Sequence, residues 1–392
     1  MGQELTPVTI SMGENYQAGG GFCLTIIGMK EARRLKETYG TPLMVVSRRE
    51  IEYRFQMLND YLPQVQPYYA VKANPNPDIL KIIKNCNPCF DICSNAEIDM
   101  VKGLGVEGQN LINTHPIKKE EDIRYSLEQG VNWFVFDNEY ELNKFVNYKD
   151  KVKLLLRVSF PNPDCVVNLS FKFGVDPDHA IDLAMKAREL GLDVKGLCFH
   201  VGSQSLNPYK YVDAIAECRR IFNLLALKGM ILEVLDIGGG FPAEYVENII
   251  PVRNFFKPIA EALNRFFPTI RIIAEPGRFV VANAVNLILT VIGKSNRANV
   301  WWYYVDDGLY GSFSGKVFDH CDYPLLSERQ GVREQCIVAG PTCDSFDIIY
   351  QNSSLPRLDI GDMLVVPAMG AYTGCSATNF NGLAPAKTIV ID

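Results

Sequence analysis

From Pro67 onward the chain alternates short apolar runs with amphipathic segments, and no other feature restricts its fold as much. The runs lie at 68–71, 89–93, 110–114, 133–137, 154–158, 196–201, 234–237 and 271–274. Between them, 96–104, 120–129, 180–190, 211–228 and 252–267 carry apolar residues at helical spacing. Strands buried on both faces read as short apolar runs, whereas crossover helices need one apolar face. About eight such strand–helix units predict a (β/α)8 TIM barrel, an α/β fold. A doubly wound open sheet would carry a Gly-x-Gly-x-x-Gly turn after its first strand, and the sequence has none there.

The helical pattern fades after about Val280. Residues 301–305, 335–339, 363–367 and 388–391 are strand-like and separated by Gly, Pro and Asp turns. They predict a second, β-rich domain of sandwich or barrel-like form, completed by an N-terminal strand near Leu43. The expected boundaries are 1–47 for the N-terminal segment joining the β-rich domain, 48–280 for the barrel and 281–392 for the C-terminal β-rich domain. A chain of 392 residues exceeds what one small core accommodates, in keeping with two domains.

A net charge of −6 argues against nucleic acid as the main partner, which calls for a basic face. Residues 1–11 lack a basic stretch followed by an apolar core, so no secretory signal is read there. The long apolar stretch 279–292 is interrupted by asparagines and too short to span a bilayer. Eleven cysteines, an odd number in a long chain, fit reduced thiols better than a disulfide framework. A cytoplasmic protein with no membrane or nucleic-acid partner is expected.

Barrel enzymes place their chemistry where strands end. The strand ends here carry Lys72, Asp91, Arg157, His200, Gly238-Gly239-Gly240 and Glu275. Lys72 closes an apolar run and is followed by Asn74-Pro-Asn-Pro, a chain breaker. It reads either as a lysine snorkelling from a strand end, or as one held near neutral to form a Schiff base with a carbonyl cofactor. The glycines of Asp236-Ile-Gly-Gly-Gly240-Phe-Pro242 are either a tight turn or a backbone cradle for an anion. In Glu275-Pro-Gly277-Arg278 the guanidinium fork suits a phosphate. Glu275 would suit a pyridine nitrogen, or would simply pair with Arg278. His200 reads as a satisfied core histidine, and no histidine spacing suggests a metal. Cys86-Asn-Pro-Cys89 lacks the second half of a zinc site and precedes a strand, so buried thiols are expected there.

Seven segments in order are familiar: Tyr69-Ala-Val-Lys72-Ala-Asn, Phe199-His-Val-Gly-Ser203, Asp236-Ile-Gly-Gly-Gly-Phe-Pro242, Glu275-Pro-Gly-Arg278, Asp306-Asp-Gly-Leu-Tyr-Gly311, Gly340-Pro-Thr-Cys-Asp344 and Met369-Gly-Ala-Tyr372. Together, over about residues 40–385, they resemble the pyridoxal phosphate-dependent basic amino-acid decarboxylases of the alanine-racemase-like fold, particularly the ornithine and lysine/ornithine decarboxylases. The resemblance implies Lys72 as the Schiff-base lysine, Glu275 on the pyridine nitrogen, and His200 against the ring face. It implies Asp91 and Arg157 around the cofactor, and Ser203, Gly238, Gly239, Gly240, Gly277, Arg278 and Tyr372 on its phosphate. It implies a homodimer whose active sites are shared, with Cys343 and Asp344 entering the other chain's site. Cys343 would reprotonate the α-carbon, Phe380 would line the substrate pocket, and Asp319 and Asp344 would receive a distal ammonium. The implied reaction is L-ornithine to putrescine in polyamine biosynthesis, with L-lysine to cadaverine a further substrate. The competing expectations are a decarboxylase of a specialised pathway, a non-catalytic regulatory homologue and a racemase. Asn113-Thr-His115-Pro116 and Phe318 depart from the family's usual residues and bear on the substrate.

Overall fold

The computed structural model describes residues 26–86, 89–163, 165–167, 169–246 and 249–392. It divides into two compact units. One comprises Glu52–Pro242 and Ile250–Phe279, the other Met1–Ile51, Ala243–Ile249 and Val280–Asp392.

The first unit is a nearly closed parallel barrel. Its strands run in the order Phe90–Ile92, Leu111–Asn113, Trp133–Phe136, Lys153–Val158, Val194–Phe199, Val234–Asp236 and Arg271–Ala274, each paired in parallel with the next. All seven coincide with apolar runs of the sequence. The remaining run is where the structure differs. The strand is broken at Tyr68 into Val65–Pro67, which pairs with Arg271–Ala274, and Tyr69–Ala70, which pairs with Phe90–Ile92. Tyr68 N–H still donates to the Ala274 carbonyl at 2.8 Å, so the break turns the strand from one neighbour to the other and brings the barrel round.

The interior is packed solid. Tyr68, Ile112, Val135, Leu155, Cys198, Val234 and Ile273 form one buried cluster, a residue from each of seven strand positions. Side chains of alternate strand residues fill such a barrel rather than leaving a pore. Chemistry is thereby confined to the rim.

Three helices of this unit escape the periodicity argument: Arg48–Tyr61, Pro77–Cys86 and Glu139–Phe145. The second is instructive, because its Asn-Pro-Asn-Pro leader reads as a breaker. Asn76 Oδ1 accepts the Asp78 N–H at 3.0 Å, and Pro77 opens the helix, where a missing N–H costs nothing. The breaker ends one element and starts the next.

The second unit is built on the 13-residue strand Val285–Arg297. Its first half pairs antiparallel with Leu43–Ser47 and with Met363–Val366. Leu43–Ser47 also pairs in parallel with Lys387–Ile391, so N- and C-terminal segments complete one sheet. Past a bulge between Val291 and Gly293, the long strand turns back on Val300–Val305. Ala298 and Asn299 both have positive φ, the geometry of a two-residue hairpin turn that suits strand twist. Ile27, Ala32, Leu35, Leu43, Val45, Ile288, Met363 and Val365 are the core cluster beneath the sheet.

Candidate active site

The sequence-predicted residues fall into two groups, one in each unit. The barrel group surrounds the ends of the strands. After Tyr69–Ala70 the chain makes a single 3-10 turn, Val71–Ala73, which presents Lys72. Lys72 Nζ lies 2.7 Å from Asp91 Oδ2, and Asp91 is fully buried on Phe90–Ile92. The amine is paired with a buried carboxylate, with 39% of its side chain accessible. Cys93 Sγ stands 3.8 Å from the same nitrogen, and burial pushes that thiol up to about 12, keeping it protonated.

Glu275 follows Arg271–Ala274, and its N–H donates to the Gly238 carbonyl at 2.8 Å. Burial, then the charge of Asp91, raises the Glu275 carboxyl. Burial, then Glu275, raises Asp236 well above the ordinary carboxylate range. Burial and mutual repulsion thus favour a proton on this pair of carboxyls. Arg157, on Lys153–Val158, adds a positive field at Glu275 and at His200.

His200 follows Val194–Phe199, and its Nδ1 accepts the Gly202 N–H at 3.0 Å. Burial, with Arg157 and Lys72 nearby, holds its proton affinity far below the usual histidine range. It is a neutral ring with its Nδ1 lone pair committed. The structure shows why Gly239 and Gly240 are glycines. A Cβ on Gly239 would stand 2.4 Å from the Glu275 carbonyl oxygen, and one on Gly240 would stand 2.2 Å from that of Gly202. Ser203 Oγ accepts from Arg278 Nη2 at 2.9 Å, and Arg278 is nearly fully buried. Gly277 packs against the turn that bears Lys72, where a Cβ would come within 2.8 Å of Ala73 Cβ.

The rim therefore assembles an amine, a buried carboxylate, a neutral ring and a glycine–serine–arginine patch. Among the described residues, no cluster of His, Cys, Asp or Glu could hold a metal ion. Residues 48–282 match the pyridoxal-dependent decarboxylases, in their pyridoxal-binding domain. The chain belongs to this family.

Within it, the lysine/ornithine decarboxylase of Selenomonas ruminantium is 36% identical, over 93% of this chain and 93% of that protein. The ornithine decarboxylase of Mus musculus is 35% identical, over 82% of this chain and 74% of that protein. The lysine/ornithine decarboxylase of Vibrio vulnificus, solved with cadaverine, superposes with a TM-score of 0.89 at 40% identity, over 94% of this chain and all of that one. The family's cofactor, pyridoxal phosphate, fits the donor set of the rim: an amine for an aldehyde, an ionisable carboxylate for a ring nitrogen and a buried guanidinium for a phosphate.

The second group lies in the β-rich unit. Cys343 is exposed, and its N–H donates to Asn381 Oδ1 at 3.0 Å. Asp344 accepts from the Tyr310 hydroxyl and, at 3.0 Å, from the Phe346 N–H. These bonds hold its carboxyl below the ordinary range. The Tyr310 ring stacks on Phe380 at 4.4 Å. Cys343, Asp344 and Phe380 are thus brought together. Asp319 instead ends the helix Ser314–Phe318, which docks through Ser314 Oγ on the Thr373 carbonyl beside Tyr372.

Sequence reasoning gave no role to Tyr310, Asn381, Asp347 or Thr114. Tyr310 stands in a motif quoted for the resemblance, yet nothing local marks it as a partner of Asp344, 34 residues away. His115, the sequence departure, packs edge-on to Phe173 at 5.7 Å, and its Nδ1 meets the Ile117 carbonyl.

Proposed function

We propose that this chain decarboxylates a basic L-amino acid with pyridoxal phosphate, converting L-ornithine to putrescine and, second, L-lysine to cadaverine. The observation that carries the substrate reading is the exposed Cys343–Asp344 turn, a thiol beside a carboxylate held ionised. A carboxylate so placed suits a distal ammonium through charge-assisted hydrogen bonds. The named activities of relatives at 35–40% identity agree with it.

When bound, pyridoxal phosphate supplies an electron sink for the charge left as carbon dioxide departs. Lys72 would supply the amine that takes the aldehyde, and Asp91 fixes that amine. Glu275 would accept from the ring nitrogen of the bound cofactor, beside Asp236. His200, neutral, would face the ring without adding a competing charge. Arg278, Ser203 and the backbone of Gly238 to Gly240 and Gly277 would hold the phosphate. Cys343 gives its Sγ proton to the substrate α-carbon, where the bond to the carboxyl group broke, and the thiolate recovers a proton from water. Phe380 and Asp319 border the substrate chain.

The protein acts as a cytoplasmic homodimer with shared sites. Phe318, Phe346 and Phe380 are large apolar side chains left exposed in a single chain, together with the reactive turn itself. Exposed apolar side chains of this size suit a partner, and a second copy would bring a Cys343 turn to a rim. Among the described residues no helix is long and apolar enough to cross a membrane.

The test is carbon dioxide release from L-ornithine, L-lysine, L-arginine, meso-diaminopimelate and carboxynorspermidine by cofactor-loaded protein. Ornithine leading, with lysine next, supports the reading. Silence on the whole panel with cofactor bound refutes it in favour of a specialised substrate. One methylene separates ornithine from lysine, a discrimination of about 1–3 kcal/mol, so measurable lysine turnover is expected.

A further inference from the structure

Thr114 ends the strand Leu111–Asn113 and is almost wholly buried. Its Oγ1 lies 2.6 Å from Asp91 Oδ1 and 3.4 Å from Glu275 Oε2. A hydroxyl has one proton to give and two lone pairs to offer. The distances decide which carboxylate receives that proton: Asp91. Glu275 then stands beside the same oxygen at 3.4 Å without receiving its proton. Asp91 is thereby held at both ends, by Thr114 on Oδ1 and by Lys72 on Oδ2 at 2.7 Å.

We propose that Thr114 is a positioning residue for the cofactor site: its hydroxyl fixes Asp91 so that the other carboxylate oxygen faces Lys72, and it stands between Asp91 and Glu275. The groups around Asp91 and Glu275 are Lys72, Cys93, Glu97, Arg157, Cys198 and Asp236. Only Lys72 and Arg157 among them are cations. A neutral donor on Asp91 therefore steadies that carboxylate without adding a charge that would compete for the substrate carboxylate.

The inference rests on the rim being the cofactor's seat. Removing a donor from a buried carboxylate favours its protonated form. In Thr114→Val, which keeps the shape and loses the hydroxyl, the acid-side transition of the bound cofactor's visible spectrum moves up by about one pH unit. Cofactor also dialyses away about tenfold faster. Thr114→Ser restores both readings, and Thr114→Ala is a second hydroxyl-free variant should the valine fail to fold. A hydroxyl-free variant that titrates and retains cofactor as the unaltered protein does overturns the assignment. So does a serine variant that behaves like the valine, because packing of the methyl would then be responsible. Both readouts concern the cofactor alone. A chain inert toward every amino acid would refute the substrate reading and leave this one standing.

Discussion

The two groups of site residues are held in opposite ways. At the barrel rim the chemistry is buried and its own side chains support it: Asp91, Thr114, Glu275 and Asp236 touch one another or repel one another directly. In the β-rich unit, Cys343, Asp344 and Phe380 face solvent, and the support lies beneath them. Asp347 is buried there. Its Oδ1 accepts the Leu309 N–H at 2.8 Å, and its Oδ2 accepts from the Thr342 N–H and hydroxyl at 3.1 and 2.8 Å. Gly308 and Gly340 lack a side chain because that carboxylate fills the space, within 2.3 Å of where each Cβ would be. One carboxylate thus ties the loop before Tyr310 to the turn bearing Cys343. A rim that must tune charge buries its acids. A turn that must meet another surface keeps its acids out and its brace within.

The largest effect that follows is a contrast between two single variants. Lys72→Ala removes the bond to the cofactor, so the visible absorption disappears and turnover falls by roughly three orders of magnitude or more. Cys343→Ala leaves that absorption intact, and diamine output falls by about 10²–10⁴-fold. Absorption spectra with amine chromatography check both, and an unchanged spectrum in Lys72→Ala or full diamine output in Cys343→Ala breaks the division of labour.

A smaller effect is expected at Asp347→Asn. The amide keeps one acceptor and sets an N–H donor against Leu309 or Thr342. Turnover should fall about tenfold while the cofactor spectrum is unchanged. A lost spectrum instead would place Asp347 in the folding of the rim as well.

The smallest is a change of pH slope. Burial raises Glu97, whose carboxylate accepts the Cys93 N–H at 2.6 Å, to about 7. Between the ordinary glutamate range and about 7 the folded chain binds the proton more tightly than the unfolded chain, so stability falls as pH rises through that window. Glu97→Gln keeps the acceptor and removes the titration. Denaturant melts across that window should show a flatter slope, and an unchanged slope would assign the dependence to other buried acids such as Asp236.

Much of the barrel was legible because strand identity is a local property, written in apolar runs at 111–113 or 271–274. The break at Tyr68 was not, since it depends on Ala274 accepting its N–H from the far side of the closing sheet. The strand Val285–Arg297 was hidden because its apolar half and its polar half serve different neighbours. In the site, the residues that end strands could be named in advance. Thr114 could not, as its meaning lies in carboxylates 23 and 161 residues away. Asp347 is the same case, 38 residues from Leu309.

The central claim is that a buried rim from one copy and an exposed turn from another make one reaction centre. Co-expressing Lys72→Ala with Cys343→Ala, under separate tags, and isolating the mixed assembly tests it directly. Each variant alone is nearly inactive, but in the mixed assembly one rim retains its lysine and meets an intact Cys343 turn from the other copy. Recovered decarboxylation in that assembly is the predicted result. A mixed assembly that forms, binds cofactor and stays as inactive as its parents would contradict the account.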